Sequence, residues 1–375
     1  MNSAAKVRLP DVAQIVMGQS PPGDSYNEVG QGMPFFQGKS EFGKISPTVR
    51  KWCTQPKKVA EAGDILISVR APVGPTNLAD VQCCIGRGLA AIRADSNVLL
   101  QEYLRYALRK AEPFLASMGQ GSTFAAIGRA ELEKVVFPMP QIDEQRRIVD
   151  LISRAESIVR LRRDAKQKAA ELGPSIFLEM FGDPTTNPKG WPSVKLGDYL
   201  SIESTVRTPN PVSDASLPCI GADSIESGSG KTVSWPNVEQ VKPISGKYHF
   251  EKNDVLYSKI RPALRKAIVA PESGYCSADM YPLRPKSGIA TPEYVAALLL
   301  SKAFTEYAIG VSARAQMPKV NRETLFAYEH PMPPITLQEA FAKRMQDVNS
   351  IQRQQESALG QSELVFASLL EKMFS

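Results

Sequence analysis

The stretch MFGDPTTNPKGWPSVKLGDYL, Met180–Leu200, lies in the middle of the chain and reads like the start of a protein. An apolar helix end gives way to a run of Pro, Gly, Asn and Thr, and a fresh strand pattern opens at Val194. Three readings compete: a linker, a loop that carries chemistry at Asp183-Pro184 or Asn187-Pro188, or a second beginning.

Working outward from this stretch decides among them. VRLPDVAQI (Val7–Ile15) is echoed by VKLGDYLSI (Val194–Ile202), and GDILISVRAP (Gly63–Pro72) by NDVLYSKIRP (Asn253–Pro262). Glu102-Tyr103 is echoed by Glu293-Tyr294, and PMPQIDEQ (Pro138–Gln145) by PMPPITLQ (Pro331–Gln338). FLEMF, ending at Phe181, returns as LLEKMF, ending at Phe374. The echoes keep their order and nearly constant spacing, which shared composition does not produce. The chain is a duplication.

Each half divides again. Its first part mixes short β-branched runs bounded by turns, such as Ile65–Val69 and Val255–Ile260, with helical runs such as Gln101–Lys110. Its second part is one long helix. Ile148, Ile152, Ala155, Val159, Ala165, Ala169 and Leu172 recur at three- and four-residue steps in the first copy. Phe341, Met345, Val348, Ile351, Ala358, Leu359, Val365 and Leu369 do so in the second. A narrow apolar stripe on a polar helix is the pattern of a coiled-coil seam. The stretches Glu144–Leu172 and Leu337–Lys372 would span about 44 Å and about 54 Å. Asp143 and Thr336 are the expected N-caps, and Gly173-Pro174 is expected to kink or interrupt the first helix.

The fold class expected is α+β with an internal pseudo-two-fold repeat. Two mixed α/β domains, 1–140 and 183–334, are separated by spacer helices 141–182 and 335–375. Each helix has the other as its obvious partner. An antiparallel coiled coil would hold the two domains at opposite ends.

Composition bounds the function loosely. With 375 residues, 43% apolar and 22% charged, the chain is ordinary globular material for two or more domains. No run approaches the roughly 18 apolar residues of a membrane helix, and MNSAAKVRLPDVAQ lacks the apolar core of a signal peptide. A cytoplasmic protein is expected. The five cysteines lack C-x-x-C spacing, and Cys83-Cys84 reads as buried strand, so no metal is expected. The formal charge of +6 suits a nucleic-acid partner without demanding one.

Tests for catalytic machinery fail. SGSGKT (Ser227–Thr232) has Ile225 where a phosphate-binding loop requires Gly, and a proline-broken segment follows it, so it reads as a hairpin turn. A base-methylating site requires Asp or Asn, two prolines and an aromatic ring. Asp183-Pro184-Thr185-Thr186 and Asn187-Pro188-Lys189-Gly190 each lack the second proline and the ring. With two histidines, neither near a suitable nucleophile in sequence, a triad finds no support. No catalytic residue is assigned.

Groups able to neutralise phosphates or reach guanine edges are present in both halves. Lys39, Lys44, Arg70 and Arg87 are among those of the first half; Lys259, Arg261, Arg265, Arg314 and Lys319 belong to the second. More pointed is MGQGSTFAAIGR (Met118–Arg129), where Gly121, Ser122 and Thr123 could lay backbone amides and hydroxyls against a phosphate. IGVSARAQMPKVNR (Ile309–Arg322) occupies the equivalent place.

Taken together, FPMPQIDEQRRIVDLI, FLEMFGDPTTNPKGWPSVKLGD, GDILISVR and GQGSTFAAIGRAELEKVVFPMP make the whole chain similar to the specificity subunit of a type I restriction–modification system, a host-defence complex. The resemblance implies two target-recognition domains that read two different half-sites of double-stranded DNA, an asymmetric bipartite target. It implies spacer helices that also dock methylation subunits, two of them, and restriction subunits through the complex. Gln145, Arg146, Ile148 and Ile152 of the first helix and Gln338, Phe341 and Met345 of the second are the interface positions it suggests. S-adenosylmethionine, ATP and Mg would belong to those partners, with no cofactor in this chain. The rival readings are a stand-alone DNA methyltransferase or nuclease, and a coiled-coil module that binds protein. The motif failures weigh against the first; a DNA footprint separates the second.

Overall fold

The computed structural model describes residues 5–119, 125–312 and 318–375. It forms two compact units, Met1–Arg162 with Ala358–Ser375, and Arg163–Ser357. The division falls inside two long helices, Ile142–Phe181 and Ile335–Phe374, so each unit contains one globular part and a length of both helices.

In the first unit an antiparallel sheet has the spatial order Ala13–Met17, Leu89–Ala94, Ile65–Ser68, Thr76–Leu78. A ribbon of Lys6–Arg8 with Val136–Pro138 stands beside it. A second sheet has the order Tyr26–Asn27, Lys51–Cys53, Met33–Phe36, Cys83–Ile85, Val59–Ala60, with one parallel pair, Met33–Phe36 against Cys83–Ile85. Successive strand residues face opposite ways. Ile65 and Ile67 therefore enter one core and Leu66 another, and the strand reads as continuous apolar sequence. Cys83 and Cys84 likewise enter different cores, and burial pushes their thiols up to about 12 and about 11.

The second unit has the same first-sheet order: Leu200–Ser201, Met280–Pro285, Val255–Ser258, Ala267–Val269, with the ribbon Ser193–Lys195 and Glu329–Pro331. Its other sheet runs Val206–Arg207, Lys247–Phe250, Gly274–Ser277, Cys219–Ile220, again with one parallel pair, the last two. The units differ at the edges of this sheet. One extends beyond Met33–Phe36, the other beyond Lys247–Phe250.

The shared order rests on repeated interactions. Asp64 is buried at a turn and held by Arg93 through two hydrogen bonds of 2.7 and 2.8 Å; Asp254 is held by Arg284 at 2.8 and 2.9 Å. Each aspartate also accepts the backbone N–H three residues before it. The preceding residue takes a left-handed conformation, φ 90° at Gly63 and 72° at Asn253, which is why Gly and Asn stand there. Tyr103 donates to the Pro138 carbonyl at 2.8 Å, and Tyr294 to that of Pro331 at 2.9 Å.

The two tyrosines explain the echoed helix endings. Tyr103 packs on Phe374 with ring centroids 4.9 Å apart, and Tyr294 on Phe181 at 5.1 Å. In the first unit Ile148, Ile152 and Val159 share a core with Phe366, Leu370 and Phe374. In the second, Lys166 meets Glu356 at 2.6 Å, Gln352 donates to the Ala169 carbonyl at 2.8 Å, and Phe177 faces Phe341. Residue numbers rise on one helix as they fall on the other, so the segments in this unit are antiparallel.

Three details depart from expectation. Phe366 and Leu370, not Val365 and Leu369, carry the final stripe, and Leu172 and Ile351 are exposed. An α-helix drifts about 20° per heptad against a seven-residue repeat, enough to pass the stripe to its neighbours. Gly173-Pro174 does not interrupt the helix. Gly173 instead lets Met345 approach, since a Cβ there would lie 3.1 Å from Met345 Cε. Both helices begin two residues before the expected Glu144 and Leu337, at Ile142 and Ile335, which puts Asp143 and Thr336 inside the first turn rather than at the cap.

Reciprocal truncations test the packing of the helix ends. Phe374→Ala should cost the first unit about 3 kcal/mol, and Phe181→Ala the second by a similar amount. Hydrogen exchange should show lost protection confined in each case to the unit named.

A second prediction concerns one difference between the units. Val12 and Phe137 of the first are replaced by Tyr199 and His330, whose OH and Nε2 lie 2.7 Å apart. Burial lowers the His330 pKa from 6.5 to about 4. The unfolded imidazole takes up a proton below its ordinary pKa and the folded one does not. Stability is therefore complete above pH 6.5 and declines toward pH 4, by about 3 kcal/mol. Tyr199→Val with His330→Phe should flatten this part of the pH dependence, read from urea midpoints at pH 7 and 4.5.

Candidate nucleic-acid interface

Strand Ile65–Ser68 runs out as Val69-Arg70-Ala71, and the chain leading into the short helix Arg129–Leu132 is stitched to it. Ala71 N–H donates to Ala125 O and Ile127 N–H to Val69 O, both at 2.9 Å, while the Ser68 hydroxyl donates to Arg70 O at 2.9 Å. The second unit repeats the device. Arg261 N–H donates to Pro318 O at 2.9 Å, Val320 N–H to Lys259 O at 2.8 Å, and the Ser258 hydroxyl to Ile260 O at 3.2 Å. These bonds fix the correspondence: Arg70 matches Ile260, and Arg261 matches Ala71. The two arginines, near the ends of equivalent strands, sit one residue out of step, as the echo of Gly63–Pro72 by Asn253–Pro262 already places them. Both are exposed, Arg261 with φ 48°. Gly121, Ser122, Thr123 and Arg314 lie outside the described residues.

The other basic candidates fare differently. Lys259 takes the place of Val69 and is 8% exposed, with its ammonium 4.8 Å above the Tyr281 ring. Burial lowers its pKa, and the neighbouring Lys319 charge adds to the effect. Arg265 has φ 47°, its carbonyl accepts Gly228 N–H at 3.0 Å, and its guanidinium lies where a Gly228 side chain would be. The SGSGKT segment is thereby seen to be a turn: Ile225 pairs antiparallel with Thr232, and Glu226 N–H donates to Lys231 O. Lys319 is exposed beside Ile260. In the first unit a cleft of about 660 Å³ opens between Arg70-Ala71-Pro72 and the short turn around Lys39–Glu41. Sequence reading noted Lys39 only as one cation among many.

The helix positions suggested as a subunit interface are mostly consumed inside the chain. The Gln145 carbonyl accepts Leu100 N–H, and its amide donates to Val98 O and Pro140 O, all at 2.9 Å. Gln338 accepts Thr291 N–H at 3.0 Å and donates to Pro333 O at 2.9 Å and Ile289 O at 3.2 Å. These glutamines clip each long helix to the globular part before it, tying it to the start of a helix there. Ile148, Ile152 and Phe341 are core residues, and Met345 is half-buried against Gly173. Arg146 alone of the set is exposed, paired with Asp143 at 2.9 Å. Leu151, Ile158 and Leu161, on one flank of the first helix, are exposed apolar residues of the first unit.

The mid-chain stretch is spent on folding. Asn187, at φ 45°, uses both side-chain polar atoms on the Trp191 backbone, and the Trp191 indole donates to Phe181 O at 3.1 Å. Asp183 accepts Thr185 N–H at 2.8 Å. Among the described residues no three His, Cys, Asp or Glu side chains converge as a metal site. Among them too, no single helix is long and apolar enough to cross a membrane. The bent pair Pro292–Leu300 and Lys302–Ser312, apolar together, lends Val295, Leu298 and Phe304 to the second core.

A family model described as type I restriction modification DNA specificity domain matches residues 2–171 and, a second time, 188–360. The MjaX type I restriction enzyme specificity subunit of Methanocaldococcus jannaschii is 41% identical over 164 residues, 44% of this chain and 39% of its own. The chain thus aligns with less than half the length of that relative. The EcoDI specificity subunit of Escherichia coli is 23% identical over 379 residues, 91% of this chain and 81% of its own. The crystal structure of a type I restriction–modification S subunit from M. genitalium superposes with a TM-score of 0.56 at 15% identity, covering 100% of this chain and 97% of the other. That likeness speaks to the fold.

Proposed function

The chain belongs to the type I restriction modification DNA specificity family, and on that premise we propose that it is the addressing subunit of such a complex. It carries no catalytic role of its own. Its two globular parts are target-recognition domains, each reading one half-site of an asymmetric bipartite sequence in double-stranded DNA. The observation that carries this reading is a common strand order bearing different surfaces. The frame is repeated, while the sheet beside it extends at opposite edges in the two units and carries different sequence there. Readers with one frame and different side chains read different bases.

The long helices act as an antiparallel coiled-coil spacer between recognition domains 1–140 and 183–334. Half-sites about one duplex turn apart, roughly 34 Å, suit such a spacer. The exposed flank of Leu151, Ile158 and Leu161, with the outward Arg146 and Arg147, supports docking of methylation subunits, two in number, through which restriction subunits join. S-adenosylmethionine, ATP and Mg reside on those partners, and the complex works in the cytoplasm on the cell's own DNA.

Genomic methylation mapped with and without this chain tests the proposal directly. One asymmetric bipartite motif should be modified only when the chain is present, and the assembled complex should protect two short patches about one turn apart. Absence of protection in the complete complex would sink the reading. Binding of S-adenosylmethionine by the purified chain alone would favour a stand-alone methyltransferase.

A further inference from the structure

The cleft beside Arg70 is built from groups that have already been used, and from a few that have not. Glu41 accepts Gly38 N–H and the Ser40 hydroxyl, each at 2.9 Å, and the Ser68 hydroxyl is committed to Arg70 O. Phe42 packs against the core beneath. Gly88, at the floor, admits no side chain, because a Cβ would lie 2.3 Å from the Gln37 carbonyl oxygen. What remains is the Arg70 guanidinium, the Lys39 ammonium and the Gln37 amide, all exposed. Neither cation makes a hydrogen bond or ion pair among the described residues; Lys39 acts on the Glu112 carboxylate only through its charge.

Two cations and an amide around a cleft of this size favour a compact anion rich in acceptors. A base flipped into the cleft would need a ring to stack on, and Phe42, the aromatic residue of the lining, packs against the core. We propose that this cleft seats one phosphodiester of the DNA backbone beside the first half-site, fixing the register of the first unit without reading a base. The assignment rests on the chain being a DNA-addressing subunit. At the matching turn of the second unit, Ala222–Ser224, the cation Lys266 is already engaged, donating to Ala222 O at 2.7 Å.

The test uses the assembled complex on its mapped target. Lys39→Ala and Arg70→Ala remove side chains that make no hydrogen bond or ion pair among the described residues. Each should lower the slope of log affinity against log salt by about one and leave the methylated motif unchanged. A single methylphosphonate placed beside the first half-site should weaken the wild-type complex and leave the Arg70→Ala complex indifferent. Unchanged affinity and salt slope in both variants would overturn the seat, provided the wild-type complex protects the target. A changed motif would overturn it in favour of base contact. If the wild-type complex protects nothing, the addressing function fails first and the seat with it.

Discussion

A forty-residue helix with a narrow apolar stripe cannot bury that stripe on itself. In water it needs a partner of similar length, and this chain supplies one by repeating itself. The consequences reach both units. The last turns of the second helix, Phe366, Leu370 and Phe374, fill the core of the first unit, whereas the last turns of the first helix, Phe177 and Phe181, fill that of the second. Each globular part is completed by a helix end from the other half of the sequence. A chain cut after its first half would leave Tyr103 without the Phe374 ring on which it packs.

Within that constraint the halves have diverged where divergence is cheap. The turn aspartates, their arginines, the tyrosine–proline bonds and the glutamine clips are repeated, because each satisfies buried polar groups that are costly to orphan. Contacts without that obligation differ. The first unit grips its long helix through Glu156, held by Arg105, Arg109 and the Tyr106 hydroxyl; the second uses the ring cluster of Phe177, Phe181, Tyr294 and Phe341. Val12 and Phe137 became Tyr199 and His330 as a pair, since one polar group there without the other would be stranded. The sheet edges, which carry no such duty, changed most.

The duplication was legible because its strongest signals are backbone demands: left-handed turns at Gly63 and Asn253, prolines closing strands, and helix starts after Pro-x-Pro. The mid-chain seam was legible for the same reason. Gln145 and Gln338 were harder, because glutamine on a helix rich in charge looks like solvated surface. Their common place in PMPQIDEQ and PMPPITLQ was the available signal, and it pointed to structure rather than to a partner. Arg70 and Arg261 lie near the ends of equivalent strands without being equivalent residues, and the echo of Gly63–Pro72 by Asn253–Pro262 already sets Arg70 against Ile260. Hydrogen bonds from Ile127 and Val320, in segments far away in sequence, give the same register. On extended chain a slip of one turns a side chain to the opposite face.

Basic residues posed the deeper difficulty, since charge says nothing about what a cation already touches. Lys259 rests on a ring, Arg265 lies against a glycine turn, and Lys266 holds a carbonyl. Each would score in a count of DNA-binding candidates, and each is engaged before any DNA arrives. Arg70 and Lys39 look no different in the sequence, yet they line a cleft and make no hydrogen bond or ion pair among the described residues. A phosphate can recruit a cation only if the fold has left it unpaired, because breaking an existing interaction offsets the new one. Selection among the 45 lysine and arginine side chains is therefore made by packing, and it becomes visible only when the packing is.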